Sequence, residues 1–353
     1  MVAKLSKKIA GEWLLVLSIL GVMITSLYLH RFPGYDETDF KVVYILLVFL
    51  IIIKGLERTH FLHNVAARFE RGKWLAQRLI ILTAILSMFV TNDVALLTVV
   101  PITLALDVKD KELLIILAPF TANAASALTP FGNPQNIFIY FHYHLHPVAF
   151  VKTIAPFCGV SLACILFLSF KKADLSVENC RNSSMKLNWV GYSYLALFGC
   201  FILAILKIVP LATGGIVIIF ALIFDRESFN IDWFLLATFL AFFGFTDNLE
   251  KIIHISINNP LEAFLYPALG SQIMSNVPGA LFFADFTSNW KALLWGVSVG
   301  GFGSLVGSLA SLISYRLYRA KTENQNRYLV KFHIYNYVLF AIGVATYILC
   351  FAR

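Results

Sequence analysis

Between Leu79 and Leu106 the chain carries no amide and no charge except at one place, where Thr91, Asn92 and Asp93 stand together. The run is long enough to cross the hydrocarbon of a bilayer, and its break falls near the middle. A carboxylate that deep costs several kcal/mol, about 2.5–3.5 on insertion scales, unless protein or water receives it. Two conformations satisfy the pattern: one long bent helix, or two half-helices that meet at a polar tip inside the membrane.

Comparable apolar runs recur from one end to the other. Hydrophobic residues make up 59% of the chain and charged ones 14%, against about a quarter charged in soluble domains. Mean hydropathy is +0.77. The expectation is a polytopic helical membrane protein with no stretch left for a sizeable soluble domain. The first run, from Trp13, follows Lys4, Lys7 and Lys8 but precedes no small-residue cleavage site, and reads as a retained span. Cys158, Cys164, Cys200 and Cys350 fall in apolar helices and Cys180 in a loop, without the paired spacing of a metal or redox motif.

The order of segment types repeats. Each half has a span, an apolar run broken by polar residues, a second run broken by Gly or Pro, and a closing span. The first half spans 1–170, with a hairpin at 75–107 and a broken helix at 111–142. A cytoplasmic linker and connecting span cover 171–208. The second half spans 209–353, with a hairpin at 261–290 broken at Ser275-Asn276 and a broken helix at 291–316. Interrupted hydrophobic segments at matching places of two halves point to the site of a secondary transporter.

Charge gives the layout. If both hairpins are re-entrant, about nine transmembrane spans remain, and an amino terminus inside puts 21 of the 28 Lys and Arg residues on the cytoplasmic side, as the positive-inside rule requires. The carboxyl terminus then lies outside. An odd number of crossings between the halves makes the repeats inverted. The net charge of +8 is thus a topology signal and no sign of a nucleic-acid partner.

Asn92 and Asn276 occupy matching tips. A hairpin that stops in the membrane leaves backbone groups to be met by protein, water or ligand. Half-helix N-termini favour an anion and carbonyl-rich ends favour Na⁺. The same residues could instead only cap half-helices and bind them to neighbours. Thr129-Pro130-Phe131-Gly132-Asn133-Pro134-Gln135-Asn136 concentrates breakers and amides, as either a cation site or a relieved kink. Gly300, Gly301, Gly303 and Gly307, with Ser304 and Ser308, occupy the corresponding place and suit close packing or a site. Asp93 could carry a proton, join a cation site or cap a half-helix. Asp247 and Asp285 read as interfacial. His142, His144 and His146 read as an exposed loop, with metal binding the rival reading. No hydrolase, phosphate-loop or zinc-helix motif appears, and the chain is read as a non-enzyme.

Val90-Thr91-Asn92-Asp93-Val94-Ala95, Thr129 to Asn136, Ser275-Asn276-Val277-Pro278 and Gly307-Ser308-Leu309-Ala310-Ser311 together resemble the ion transporter superfamily. The likeness is to its citrate-transporter-like and arsenite-permease-like branch, and the superfamily also includes dicarboxylate/sodium symporters and sodium/proton antiporters. The resemblance implies a homodimer in the cytoplasmic membrane, elevator-type alternating access, and a small inorganic or organic anion or an oxyacid as substrate. No cofactor is implied beyond Na⁺ or H⁺ as coupling ion. It assigns substrate contact to Thr91, Asn92, Asn133, Ser275, Asn276, Ser304 and Ser308, and the coupling ion to Asp93, Thr129, Gly132 and Asn136. Where dicarboxylate carriers have Thr at the third tip position, this chain has Asp93 and Val277. An anionic Asp93 repels a carboxylate at close range, and the tips look more like those of arsenite permeases and antiporters. Sodium/proton exchange with Asp93 as the titrating group is the alternative.

Overall fold

The computed structural model describes residues 13–67, 74–106, 111–170, 188–253, 255–322 and 325–351. The linker around Cys180, the turn at 107–110 and the lysines before Trp13 lie outside the described residues. So does much of the charge on which the topology count rests.

Every regular element among the described residues is helical. In order these are α1 (Trp13–Leu29), α2 (Glu37–Arg58), α3 (Phe61–Ala67), α4 (Leu75–Phe89), α5 (Asn92–Ala105), α6 (Lys111–Ser126), α7 (Pro134–His142) and α8 (Pro147–Ser169). Then follow α9 (Trp189–Ile205), α10 (Gly214–Phe224), α11 (Trp233–Ile252), α12 (Pro260–Met274), α13 (Asn276–Ala284), α14 (Trp290–Gly300), α15 (Leu309–Arg319) and α16 (Gln325–Phe351). Among the described residues, three stretches are long and apolar enough by themselves to cross a membrane: α8, α11 with the short turn before it (Arg226–Ile252), and α16. Large apolar side chains such as Leu27, Phe167, Ile273 and Leu349 stand exposed on the helix surfaces, as expected where the surrounding medium is hydrocarbon.

Local sequence explains where the helices start. Asp36 and Asp39 form a reciprocal capping box at the head of α2. Asn188, Asp232, Asn259 and Asn289 cap α9, α11, α12 and α14 through side-chain oxygens. The apolar core Val42–Ile53 suggests a short second span, yet α2 runs 22 residues. The amino-terminal extension starts at the Asp36 capping box, and the carboxyl-terminal one ends at Arg58, which pairs with Asp225 and Glu227.

The two halves pack by the same plan. α4 and α5 lie against α6, and α12 and α13 lie against α14, so each helical pair rests on the first piece of its own broken helix. The second pieces cross over. α15 packs on α5 and α6 of the first half, and α7 packs on α13 of the second. Away from this centre, α1 packs on α11, while α2 packs on α9, α10 and α11.

Candidate functional site

The four interruptions legible in the sequence are four places where a helix stops and restarts. At the first tip α4 ends at Phe89 and α5 begins at Asn92; at the second, Ser275 alone separates α12 from α13. Both reversals place a side-chain-bearing residue at positive φ directly before the asparagine: Thr91 at 119° and Ser275 at 73°. Non-glycine residues in such conformations cost about 1–3 kcal/mol each and concentrate at functional sites. No arm of the two pairs exceeds 15 residues, which at 1.5 Å per residue is about 22 Å, short of the roughly 30 Å hydrocarbon layer.

The broken helices share a second device. Thr129 Oγ1 donates to the Met88 carbonyl at 2.7 Å, and Ser304 Oγ donates to the Gln272 carbonyl at 2.8 Å. Met88 lies four residues before Asn92, and Gln272 four before Asn276. Each break is thus tied by a hydroxyl to the end of the arm beside it. Three residues after each hydroxyl comes a glycine, Gly132 or Gly307, and then a cap. Asn133 Oδ1 accepts from the Asn136 amide at 2.9 Å at the head of α7, and Ser308 Oγ accepts from the Ala310 amide at 3.2 Å at the head of α15. Gly132 is required by close approach, since a Cβ there would meet the Ser126 carbonyl and Thr129 Oγ1.

The carbonyls freed by the breaks are largely received by protein. Asn136 Nδ2 donates to Ser126, Ala127 and Thr129 oxygens at 3.2, 3.1 and 2.8 Å. In the second half Gln272 Nε2 reaches Gly300 O at 3.0 Å and Phe302 O at 2.9 Å, and Asn336 Nδ2 reaches Gly303 O at 2.9 Å. Gly303 has φ of +98° and lies against the Gln272 amide. Two amide oxygens of the first break, Gln135 Oε1 and Asn136 Oδ1, are buried without a hydrogen-bond partner among the described residues. Buried acceptors without partners are uncommon in native folds.

One side chain absent from the sequence-derived set joins the halves. Asn123, buried in α6, accepts from Asn92 Nδ2 at 3.3 Å and from Ser308 Oγ at 2.8 Å, and donates to the Gly301 carbonyl at 3.0 Å. A Cβ added to Gly301 would lie 3.1 Å from Asn276 Nδ2, so the second tip reaches the same neighbourhood. Ser275 Oγ and Asn276 Oδ1 are 3.4 Å apart. Of the predicted residues, Asn92, Ser308 and Asn276 therefore converge, while Thr129, Gly132, Asn133 and Asn136 form the adjoining turn of the first break.

Beside the tips lies a cavity of about 270 Å³, lined by Asp93, Ser275, Pro278, Asp232, Arg316 and Trp13 among others. Asp93 Oδ1 is enclosed and has no hydrogen-bond partner among the described residues. The cavity extends from the tips toward the start of α1, the start of α11 and the end of α15. Larger openings elsewhere, around Asp39, His142, Glu250 and Asp285, belong to the opposite ends of α7 and α13.

Two groupings suggested by the sequence lie apart from this node. Asp247 pairs with Arg31 and also accepts from the Gly34 amide at 2.7 Å. His142 lies 4.0 Å from Asp285 while His144 and His146 are exposed, and no group of three potential metal ligands occurs among the described residues.

A chain whose described elements are all helical, with exposed apolar helices, paired half-helices and polar breaks meeting in its interior, has the build of a membrane transporter. It belongs to the citrate transporter family, whose pattern matches residues 5–300, and this makes it a secondary transporter. It is 32% identical over 299 residues to an uncharacterized transporter of Methanocaldococcus jannaschii, covering 80% of this chain and 82% of that one. It is likewise 32% identical over 322 residues to the inner membrane protein YbiR of Escherichia coli, with 84% of each chain covered. A shorter likeness, 27% over 153 residues, links 40% of this chain to 31% of a silicon efflux transporter of Oryza sativa.

Proposed function

We propose that the chain is an ion-coupled secondary transporter that moves a small oxyacid or anion across the cytoplasmic membrane by alternating access. The convergence of Asn92, Ser308 and Asn276 on one polar node beside a cavity is the observation that carries this reading. Side-chain amides, hydroxyls and the N-termini of α5 and α13 suit the oxygens of a small solute. Among the described residues, Arg316 is the one cation lining the cavity, and it is exposed; Asp93 has no cationic partner. That balance disfavours a polycarboxylate and favours a solute that is neutral or singly charged. Orthosilicic acid is a test solute of this kind, in keeping with the partial likeness to a silicon efflux transporter.

The partnerless oxygens of Gln135 and Asn136 support a coupling cation at the first break, since oxygen ligands suit a hard ion. Short arms support re-entrant hairpins, and with them the layout of about nine crossings, inverted halves and a cytoplasmic amino terminus. In that layout the cavity opens inward. Asp93 favours a second reading, sodium/proton exchange, because its enclosed carboxyl oxygen has no fixed partner.

Proteoliposomes separate the two. Uptake of orthosilicic or arsenous acid driven by a Na⁺ or H⁺ gradient is the expected result. Background uptake of every oxyacid, with a Na⁺ pulse alone collapsing an imposed pH gradient, would overturn the first reading in favour of exchange.

A further inference from the structure

Asn123 belongs to the first half, yet two of its three side-chain hydrogen bonds go to the second. Those two partners are the lips of the second break: Gly301 closes α14, and Ser308 opens α15. The third bond holds the first tip through Asn92. An amide suits this position because it accepts twice through oxygen while donating through nitrogen. Aspartate would lose the donor, serine has one polar atom for three partners, and an aliphatic residue would leave all three unmet in a buried place.

The halves differ here. By the spacing to Thr129 and Ser304, the residue matching Asn123 is Ser298, and among the described residues its hydroxyl makes no bond to a tip. The two tip amides differ as well. Asn92 Nδ2 is held by Asn123, whereas the Asn276 amide nitrogen makes no hydrogen bond to a described residue, although Asn276 is buried too.

We infer that Asn123 is a positioning residue that fixes the width of the second break and registers the first tip against it. The consequence for transport rests on the function proposed above; the structural linkage does not.

Hydrogen exchange on the full chain in nanodiscs tests the linkage. In Asn123→Ala, exchange should rise at least about tenfold both over 92–99 and over 301–310, with 189–205 unchanged. Asn123→Asp keeps both acceptor roles, and should loosen 301–310 more than 92–99. If Asn123→Ala does not fold, Ser308→Ala serves: truncating a second-half hydroxyl should loosen 92–99 in the first half. Unchanged exchange in either linked segment, or a uniform rise everywhere, would overturn the assignment. A transport readout separates positioning from mere stability. With orthosilicic acid as the probe, Asn123→Ala should raise the half-saturating concentration at least about tenfold at nearly constant maximal rate. A lowered maximal rate with unchanged half-saturation would count against positioning. If the unaltered protein moves no orthosilicic acid, the transport reading suffers, and the exchange result alone decides on Asn123.

Discussion

Gln272 offers the sharpest test of how the second break is held. Its Nε2 donates to Gly300 O, Phe302 O and Ala268 O, and its Oε1 accepts from the Ser304 amide at 2.7 Å. Gln272→Leu keeps most of the volume and removes all of these bonds. Ala268 O retains its helical bond, but Gly300 O, Phe302 O and Ser304 N–H lose a partner. An orphaned buried group costs about 1–3 kcal/mol. Because Ser304 is half-buried, water recovers part of that, and a total of about 3 kcal/mol is expected. At about 2–4 °C per kcal/mol for a chain of some size, melting followed by tryptophan fluorescence should fall by roughly 6–12 °C. The internal control is Met88→Leu at the matching place of the first pair. There the bond from Thr129 goes to the main chain, and the swap conserves volume, so its cost should stay under about 1.5 kcal/mol. Equal melting of Gln272→Leu and the unaltered protein would refute the argument, as would equal losses in the two variants.

Three further outcomes follow from single side chains. Gly132→Ala drives a methyl into the Ser126 carbonyl and Thr129 Oγ1, so it should cost about 1–3 kcal/mol in melting experiments and sharply reduce transport. Asp285, in the turn after α13, is pushed up from 3.8 to about 6 chiefly by burial, with Glu250 and Asp36 adding to the shift against a hydrogen bond from Thr246. A carboxyl raised in the fold favours folding below its ordinary range, and that contribution is lost as pH rises from about 4 through 6. Asp285→Asn should therefore melt higher than the unaltered protein at pH 7, by at most about 3 kcal/mol, and the two should converge near pH 4. Asp93→Asn should flatten the pH dependence of transport; an unaltered profile would remove Asp93 as a proton carrier.

Much of the site was legible because breaks in apolar runs are conspicuous. Thr91-Asn92, Ser275-Asn276, the Pro130–Pro134 stretch and the Gly300–Gly307 stretch each mark a place where a helix stops. The reason is local: amides, prolines and glycines inside hydrocarbon-length runs either end a helix or leave backbone groups unmet. Asn123 and Gln272 were not legible. Each lies within or at the end of a regular helical stretch, where a lone amide reads as ordinary interhelical glue, and only tertiary packing brings Gly301, Ser304 and Ser308 to them. The strained φ at Thr91 and Ser275 was also hidden, because neither residue type advertises it as glycine would. Gly300, Gly301, Gly303 and Gly307 left packing and ligation open from sequence. In the structure Gly303 serves a left-handed turn against Gln272, and Gly301 supplies the carbonyl that Asn123 holds.

The proposed transport site needs both tips. Gradient-driven uptake of orthosilicic acid into proteoliposomes, measured for the unaltered protein, Asn92→Ala and Asn276→Ala at matched insertion, tests it most directly. Robust uptake by the first and background uptake by both variants is the predicted result. Uptake by either variant at the unaltered rate would contradict it and reduce that tip to a structural cap.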